Sequence, residues 1–514
     1  MGRGRVEQVD VVIVGGGLSG LAAADLLHQR SLAGRSSASF VVLEAGDRLG
    51  GRVLTAEAPG HFGWLDMGGA FFAVTQHHVM RMVDRFGLVI DQTYLPQGKS
   101  WRFQLESGEV LELRSDDPTS YPGGLHTLEA LAVLDRLTCH VRSSLTEPEV
   151  SLRAELFDQW SVADFIANYA MFSPQGEPMH DHTRQAFTVS VRSGFSAEPH
   201  QISFLYLLHY AARTGSYAML ADILGGPLSA EGTRLAYGAG DLVAALHGAL
   251  PRGAVRMGEA VQRITQGKEG CTVTTRDGTY TCGRVIVATA PRDASQGIVF
   301  DPPLAATPGA EPAGARRETL TGAAFMGRTI KGFLLYRTPW WRDVGDGHTG
   351  NTMATHADID RFPLDWALDH VWDPPEPDPA RPVPPHPNAL MTFIVGEAAN
   401  RWAGRSREER RDALCRQLAD IYGTRAAIDE LLPDTPAQPS YLEHDFHGVG
   451  RFGGCPSALL PPQVFAGVPG ALAAPVGRVH FAGSESAVQW AGYMNGALQS
   501  GQRAAAEVLT QGVR

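Results

Sequence analysis

The sequence has few cysteines, and they follow no regular spacing. Its 514 residues contain five, Cys139, Cys271, Cys282, Cys415 and Cys455. An odd, scattered set does not resemble a disulfide framework, and no C-x-x-C pair suggests a metal site. The pattern is typical of free thiols in a reducing compartment, so we expect neither a structural disulfide nor a bound metal.

Long hydrophobic runs and excess positive charge are also lacking. No run of about 18 apolar residues occurs, and no apolar leader precedes the first predicted strand, at residues 9–14. The chain carries 44 Lys and Arg against 55 Asp and Glu, a net charge of −11. This balance disfavours nucleic acid or an anionic membrane as a partner. The sequence therefore predicts a cytoplasmic protein with no membrane partner.

Glycine, by contrast, is abundant, and its first cluster follows an apolar strand. Gly15, Gly17 and Gly20 have the G-x-G-x-x-G spacing, and helical periodicity begins directly after them. Such glycines permit a tight turn and bring backbone N–H groups and a helix N-terminus close to a pyrophosphate. A second strand, 40–43, ends in Glu44, placed to accept hydrogen bonds from an adenosine ribose. The alternative is a glycine turn without a ligand.

The remaining patterns predict an interrupted α/β fold. Residues from about 124 to 229 are mainly helical in pattern, and the last 37 residues return to strand, turn and helix at Gly483 and Ser484. We predict a discontinuous Rossmann-like domain and an α+β substrate domain with a mixed sheet and a helical cap. The predicted boundaries are 1–95, 230–297 and 448–514 for the first domain, and 96–229 and 298–447 for the second, with the cap at 124–229.

Six motifs together resemble the flavin-dependent monoamine oxidase family in order and spacing. The resemblance covers nearly the whole chain and is weakest from about 115 to 195 and in the proline-rich loop 372–388. It implies FAD as cofactor and an enzyme that passes a hydride from the carbon next to an amine nitrogen to flavin N5. The product would be an imine, then an aldehyde or ketone, with O2 reduced to H2O2; a homodimer is left open. The motifs are GGGLSGLAAA, LEAGDRLGGR, DMGGAFFAVTQ, RVIVATAP, GRTIKGFLLYRTPWWR and FAGSESAVQWAGYMNGALQSG.

The resemblance also implies cofactor contacts, of which two have alternatives. Glu485 would contact the pyrophosphate or ribityl chain, or act only as a helix-cap carboxylate. Cys455 aligns where some members attach FAD covalently, although a buried free cysteine is the commoner fate of such a residue. The other implied contacts are Gly15, Gly17, Ser19, Gly20, Glu44, Gly51, Arg52, Gly69, Ala70, Val261, Gly483, Ser484 and Met494.

Two residues are candidates for catalysis. Lys331 interrupts an apolar strand on the face of Phe333 and Leu335, so a buried ammonium there would be costly without a purpose. The alternative is a strand-edge lysine whose charge reaches water. In the family, a lysine at this motif holds a water against flavin N5 and assists O2 reduction. Tyr493 resembles one wall of an aromatic cage for the amine, or else fills a helix–sheet contact.

The sequence departs from the family where the second cage tyrosine should stand, because Pro456 occupies that position. Phe446, Trp366 and Trp402 are candidates to replace it. Losing a ring would widen the approach, which suggests a second hypothesis: an oxidase or desaturase of a bulky apolar or natural-product substrate. A third is a catalytically silent flavoprotein that binds a partner.

The arginine that amino-acid oxidases of this superfamily use for a carboxylate is also missing. It would follow the DMGG motif, where this sequence has Ala70, Phe71 and Phe72. An α-amino acid is therefore a less favoured substrate.

Overall fold

The structure, a computed structural model, describes residues 5–58, 63–92, 100–114, 117–142, 153–221, 230–344, 348–355, 358–370, 388–447 and 454–512. The proline-rich loop predicted at 372–388 lies outside these ranges except for its last residue. The strands are β1 Arg5–Gln8, β2 Val11–Val14, β3 Phe40–Leu43, β4 Thr55–Glu57, β5 Trp64–Asp66, β6 Phe71–Phe72, β7 Ile90–Gln92, β8 Ser100–Gln104, β9 Val110–Arg114, β10 Thr233–Leu235, β11 Val255–Arg256, β12 Val261–Gln266, β13 Cys271–Thr275, β14 Gly278–Cys282, β15 Arg284–Val287, β16 Val299–Asp301, β17 Phe325–Met326, β18 Thr329–Tyr336, β19 His348–Ala354, β20 Trp366–Asp369, β21 Asn388–Val395, β22 Tyr441–Asp445, β23 Ala458–Leu459 and β24 Val479–Phe481. The α-helices are α1 Leu18–Leu32, α2 His77–Phe86, α3 Leu125–Arg142, α4 Ala154–Gln159, α5 Val162–Ala167, α6 Asp181–Phe195, α7 Phe204–Thr214, α8 Tyr217–Leu220, α9 Gly240–Gly248, α10 Pro291–Gly297, α11 Ala313–Ala323, α12 Gly396–Trp402, α13 Arg407–Tyr422, α14 Ala426–Asp429 and α15 Met494–Gln511.

A five-stranded parallel sheet, in the order β11-β3-β2-β15-β24, holds the glycine motif. Strand β2 is buried on both faces, as its apolar composition predicts. Val11 and Ile13 pack against helices α1 and α15, whereas Val12 and Val14 pack against a second sheet. Because its strands come from three separated parts of the chain, the predicted discontinuous Rossmann-like fold is confirmed.

The second sheet, β1-β14-β13-β12-β16, lies against the first. It includes a hairpin formed by β13 and β14, with its turn at Asp277 and Gly278. Strand β16 pairs in parallel with β12. The predicted domain boundary at residue 298 therefore falls within the structural unit of this sheet, because β16 follows it directly. The rest of the domain division stays a prediction.

A seven-stranded mixed sheet, β22-β18-β21-β20-β19-β8-β9, forms the other half of the fold. Strand β18 lies between β21 and β22, and all eight of its residues are buried. One face of β18, including Ile330 and Leu334, packs with helices α12 and α13. The other face, including Phe333 and Leu335, turns towards Leu65 and Met67 near the dinucleotide-binding part.

The predicted cap is mainly helical in its described residues. Helices α3 to α8 share one apolar cluster centred on α7, which is buried along nearly its whole length. Helix α5 begins with a capping box of Ser161 and Asp164. Within the described ranges, no helix is both long and apolar enough to span a bilayer, and no cluster of three or more His, Cys, Asp or Glu side chains could hold a metal.

The C-terminal segment has the predicted order of strand, turn and helix, but its helix begins later than the sequence predicts. Ser484–Ser486 forms a single 3-10 turn, and helix α15 begins only at Met494. Between them, Trp490 and Gly492 adopt φ values of 53° and 82°, which no right-handed helix accommodates. The helix N-terminus that faces the site therefore lies at Tyr493 rather than at Gly483.

Candidate active site

A single cavity of about 1100 Å³ joins the parallel sheet to the seven-stranded sheet and the helical cap. At one end it is lined by the glycine turn after β2 and by Glu44; at the other, by aromatic side chains of β8, α6 and α7. Lys331 and Tyr493 lie between the two ends. The volume exceeds the usual range of a drug-sized pocket, so the space accommodates a dinucleotide and a second small molecule.

The glycine turn has the geometry of a pyrophosphate cradle. Gly15 has a φ of 105°, and a Cβ at Gly20 would lie 1.9 Å from the Gly15 carbonyl oxygen. Gly17 begins helix α1 without a side-chain cap, so the first-turn N–H groups have no intrahelical partner. Gly15, Gly17, Leu18 and Ser19 line the cavity. These residues therefore fit the phosphates of FAD.

Glu44 lies at the end of β3, on the wall of the cavity. One carboxylate oxygen accepts the Gly16 N–H at 2.7 Å, and the other accepts the Gly46 N–H at 2.7 Å. These bonds fix the carboxylate beside the glycine turn. An acid held in this way fits the predicted ribose contact, because each oxygen keeps capacity for a further hydrogen bond. Val261, at the start of β12, lines the same end.

An ion pair between the partly exposed Arg52 and the buried Glu485 joins two motifs that are 433 positions apart. The Arg52 guanidinium donates to the two Glu485 oxygens at 2.7 and 3.2 Å and to the Pro456 carbonyl at 2.8 Å. Glu485 also accepts the Ala458 N–H at 3.0 Å. Burial alone would raise the pKa of Glu485, but Arg52 and these hydrogen bonds lower it to about 2.

Most predicted cofactor contacts line the cavity, but four do not. Gly20, Gly51, Gly483 and Glu485 are absent from its described wall. Gly20 instead permits helix α1 to pack closely on the turn, and Glu485 holds Arg52. Both predicted roles of Glu485, direct contact or helix cap, stay predictions beside its ion pair with Arg52. The predicted residues on the wall are Gly15, Gly17, Ser19, Glu44, Arg52, Gly69, Ala70, Val261, Lys331, Cys455, Ser484, Tyr493 and Met494.

Lys331 is a buried ammonium on β18, the second strand of the seven-stranded sheet. Its side chain donates to the Gly68 carbonyl oxygen at 2.8 Å, and the rings of Phe393, Phe333 and Phe71 lie 5.4, 5.7 and 5.9 Å from Nζ. Burial lowers the pKa of Lys331 to about 8, although the charge of Asp66 opposes the change. The alternative of a strand-edge lysine is wrong, because β18 is paired on both sides.

Lys331 belongs to a cross-strand row that crosses the sheet and lines the cavity along its length. In this row, the rings of Trp366 and Phe393 stack with centroids 4.8 Å apart. Side chains directly opposite one another in paired strands share a face, so the sheet register alone assembles this wall. The row consists of His444, Lys331, Phe393, Trp366, Met353 and Phe103.

Tyr493 lies at the start of α15, and its nearest rings are Trp490 at 5.2 Å and Tyr210 at 6.3 Å between centroids. Tyr210 comes from α7, is buried and lines the cavity. No sequence motif marks it as a site residue. The i, i+4 spacing of Tyr206 and Tyr210 in an apolar helix was the available signal, but it equally fits an ordinary core.

The candidates for the missing cage ring differ in their position. Trp366 and Phe446 line the cavity, as does Pro456 itself. Trp402 does not; it is buried beside α13 and donates to the Ile359 carbonyl at 2.6 Å. Trp402 is therefore excluded as a cage residue, because its ring is packed within the core beside the seven-stranded sheet.

Cys455 lines the cavity and is a free thiol. Burial raises its pKa to about 11, even though Arg52 and Lys331 oppose the change. Covalent attachment requires the thiolate, which this environment disfavours at neutral pH. The geometry therefore allows contact with a flavin and does not favour a bond to it.

The fold, the nucleotide cradle and the buried lysine together define the class of protein to which this chain belongs. Residues 18–509 match the family described as flavin containing amine oxidoreductase, and the chain belongs to that family. It is a flavin amine oxidoreductase with FAD as its cofactor, as the sequence predicts.

Named relatives share this assignment over nearly full length. The chain is 29% identical to the probable flavin-containing monoamine oxidase A of Dictyostelium discoideum, covering 97% of each chain. It is 27% identical to amine oxidase B of Bos taurus, covering 98% of this chain and 86% of the relative. Among solved structures, cyclohexylamine oxidase from Brevibacterium oxydans is 29% identical, with a TM-score of 0.80 and coverage of 98% and 99%.

Proposed function

We propose that this chain oxidises an amine at the carbon next to the nitrogen, with O2 as the electron acceptor and H2O2 as a product. The observation that carries the proposal is Lys331. A buried ammonium on the wall of a cavity that also fits FAD is costly to the fold, and perturbed buried lysines mark functional sites.

Bound FAD would accept a hydride from the substrate at N5 and later return two electrons to O2. The chain's own residues would bind and orient the cofactor and the substrate, and they would exclude water from the site. Glu485 fixes Arg52, and Gly69 and Ala70 line the same cavity, where all three would adjoin the flavin. Lys331 provides a positive charge held by the Gly68 carbonyl. That charge would stabilise the anion that forms as O2 is reduced.

The aromatic walls would help the substrate to lose its proton. An alkylammonium with a pKa of about 10.4 is neutral at pH 7 only at a cost of about 4.6 kcal/mol. An apolar wall lowers this cost because it destabilises the cation, and the charge of Lys331 acts in the same direction. Tyr493 and Tyr210 present ring faces or edges to the same space, and they would orient the nitrogen lone pair.

The charges on the wall favour an apolar amine over an α-amino acid. Among the described residues, the cations that line the cavity are Arg48, Arg52 and Lys331. Arg48 donates to backbone carbonyls, Arg52 to Glu485, and Lys331 to the Gly68 carbonyl. Each is engaged by the fold itself, so a substrate carboxylate would have to compete with an existing partner.

A second candidate function is oxidation or desaturation of a bulky apolar substrate. It is favoured by Pro456, which lines the cavity where the family places a ring. The remaining prediction from sequence, a silent flavoprotein that binds a partner, is an outcome of the test below. The predicted cytoplasmic location and the absence of nucleic-acid and membrane partners stay predictions, and the homodimer stays open.

The test is peroxide release from a panel of benzylamine, N-methylbenzylamine, cyclohexylamine and putrescine, measured with a peroxidase-coupled dye. Anaerobic bleaching of the flavin by the same amines separates amine oxidation from reoxidation. We expect bleaching and peroxide with at least one of the three apolar amines, and weaker rates with putrescine. A yellow protein that no amine bleaches would contradict the proposal and favour the second candidate or the silent flavoprotein.

A further inference from the structure

Cys271 and Cys282 face each other across the β13–β14 hairpin. They are directly opposite in the antiparallel register, and both side chains are buried, with 4% and 7% exposed. Opposite residues in such a pair have Cα atoms about 4.5 or 5.5 Å apart, and both separations fall within the range of disulfides. Both are free thiols, and both belong to the same buried cluster between the two sheets. They form an aligned dithiol outside the active site.

The charges around this dithiol make its two sulfurs unequal. The interaction with the Cys282 thiol lowers the pKa of Cys271; burial opposes this, and the charges of Arg478 and Arg284 lower it further. The same interaction, together with burial, raises the pKa of Cys282. Arg478 and Arg284 are held beside the hairpin by backbone carbonyls, Gly283 at 3.2 Å and Gly512 at 3.0 Å. Cys271 is therefore the first of the pair to become a nucleophile.

We propose that Cys271 and Cys282 form a reversible disulfide in the presence of hydrogen peroxide, a product that the proposed function would release. The Cys271 thiolate attacks one peroxide oxygen, the O–O bond breaks, and the departing hydroxide takes up a proton to become water. The sulfenic acid on Cys271 is then attacked by the Cys282 sulfur. The S–S bond forms, the S–O bond breaks, and a second water leaves with the Cys282 proton. Two thiols lose two electrons, and one peroxide is reduced to two waters.

The hairpin geometry makes this disulfide easy to reduce. Cβ atoms of opposite residues are about 4.5–5.5 Å apart, whereas a disulfide brings them to about 3.5–4.5 Å. The strands must close slightly, and strained disulfides are the more readily reduced ones. Strand β13 also pairs with β12, whose first residue, Val261, lines the nucleotide end of the cavity. Cys271 itself lies opposite Gln266, at the other end of β12 from Val261. The bond would therefore form away from the nucleotide end of the cavity and would contain none of the predicted FAD contacts.

The experiment uses the holoenzyme and a peptide map made without reductant. Protein is treated with hydrogen peroxide, quenched with catalase, alkylated with N-ethylmaleimide in denaturant and digested with trypsin. Cys271 and Cys282 fall on separate tryptic peptides, 269–276 and 277–284, so a disulfide joins two otherwise independent masses. We expect this joined species to become the main form of both peptides and to disappear after dithiothreitol.

Two variants and a second form of the experiment make the test decisive. Cys282→Ser should remove the joined species and leave Cys271 as a sulfenic or sulfinic acid, whereas Cys139→Ser, at an exposed thiol, should leave the joined species unchanged. Oxidation of Cys139 alone, or of both hairpin cysteines without a joined species, would overturn the proposal. In the second form, the fastest amine of the panel replaces added peroxide. If only this form fails, the amine oxidase function is in doubt and the dithiol is not.

Discussion

Replacing Lys331 with methionine removes a charge that the fold holds at a cost. Burial lowers the pKa of this lysine from 10.5 to about 8, which corresponds to about 3 kcal/mol of destabilisation below pH 8. The variant loses one hydrogen bond to the Gly68 carbonyl, worth ~1 kcal/mol, so the net gain is about 2 kcal/mol. For 514 residues, an unfolding entropy of roughly 1.1 kcal/mol/K converts this gain into a melting temperature about 2 °C higher.

The pH dependence of stability has a definite sign. The folded pKa lies below the unfolded one, so the unfolded chain binds more protons between pH 8 and 10.5. The free energy of unfolding contributed by Lys331 therefore rises with pH across this window. Thermal unfolding of wild type and Lys331→Met from pH 7 to 10.5 should show the two melting temperatures converging as pH increases.

Lys331→Met should slow the reoxidation of the flavin although it raises the melting temperature. After anaerobic reduction with dithionite, mixing with oxygenated buffer gives the rate constant of flavin reoxidation independently of any amine. We expect Lys331→Met to lower it by about 100-fold or more, the usual effect of losing one electrostatic stabiliser, with FAD still bound. In wild type the rate constant should fall above pH 8 as the lysine loses its proton.

Two controls separate the charge from the packing. Lys331→Arg keeps the charge, so it should retain most of the rate and show no fall near pH 8. Leu335→Met changes a buried residue on the same face of the same strand and should leave reoxidation unchanged. Equal oxygen kinetics in wild type and Lys331→Met would refute the catalytic role, and a lower melting temperature in Lys331→Met would refute the stability argument.

Three further predictions concern the rest of the cavity. Glu485→Gln leaves Arg52 without its buried counter-ion and should lower the free energy of unfolding by about 3 kcal/mol. In wild type, the ion pair stabilises the fold fully above pH 4.5 and weakens as pH falls towards 2. The loss of stability over this pH range should therefore be absent from the acid unfolding of the variant. Tyr210→Phe should keep kcat/KM for benzylamine within about threefold, whereas Tyr210→Leu should lower it about tenfold through loss of the ring, measured by anaerobic flavin reduction. Acid precipitation should release the flavin into the supernatant, because burial keeps the Cys455 thiol protonated; yellow colour in the pellet would contradict this.

The sequence predicts the nucleotide half of the fold well because its signals are local. Strands β2 and β3 are short apolar runs beside glycines, and their buried faces follow from composition alone. The start of α15 could not be predicted in the same way. It depends on the positive φ values of Trp490 and Gly492, and Gly492 is required because a Cβ there would lie 1.7 Å from the Tyr210 hydroxyl. That contact is tertiary and leaves no local signal.

The same distinction applies to the site. The cradle residues are consecutive in sequence, so their spacing alone reveals them, whereas Arg52 meets Glu485 across 433 positions. A sequence pattern identifies Arg52 and Glu485 separately but does not show that the two side chains form an ion pair. The sequence therefore predicts Glu485 as a cofactor contact or a helix cap, and its ion pair with Arg52 follows only from the packing of the 3-10 turn against that loop.

The cross-strand row shows how register, rather than motif, completes the site. Because side chains alternate between faces, a shift of β18 by one residue against β21 and β22 would move Lys331 to the face of Ile330 and Leu334. That face is packed by α12 and α13, where an ammonium would have neither the Gly68 carbonyl nor the cavity. The apolar residues that fix the register of β18 thus also fix the position of its one charge. Substitutions at Ile330 or Leu334 that loosen this packing should therefore alter flavin reoxidation, although neither side chain touches the cavity.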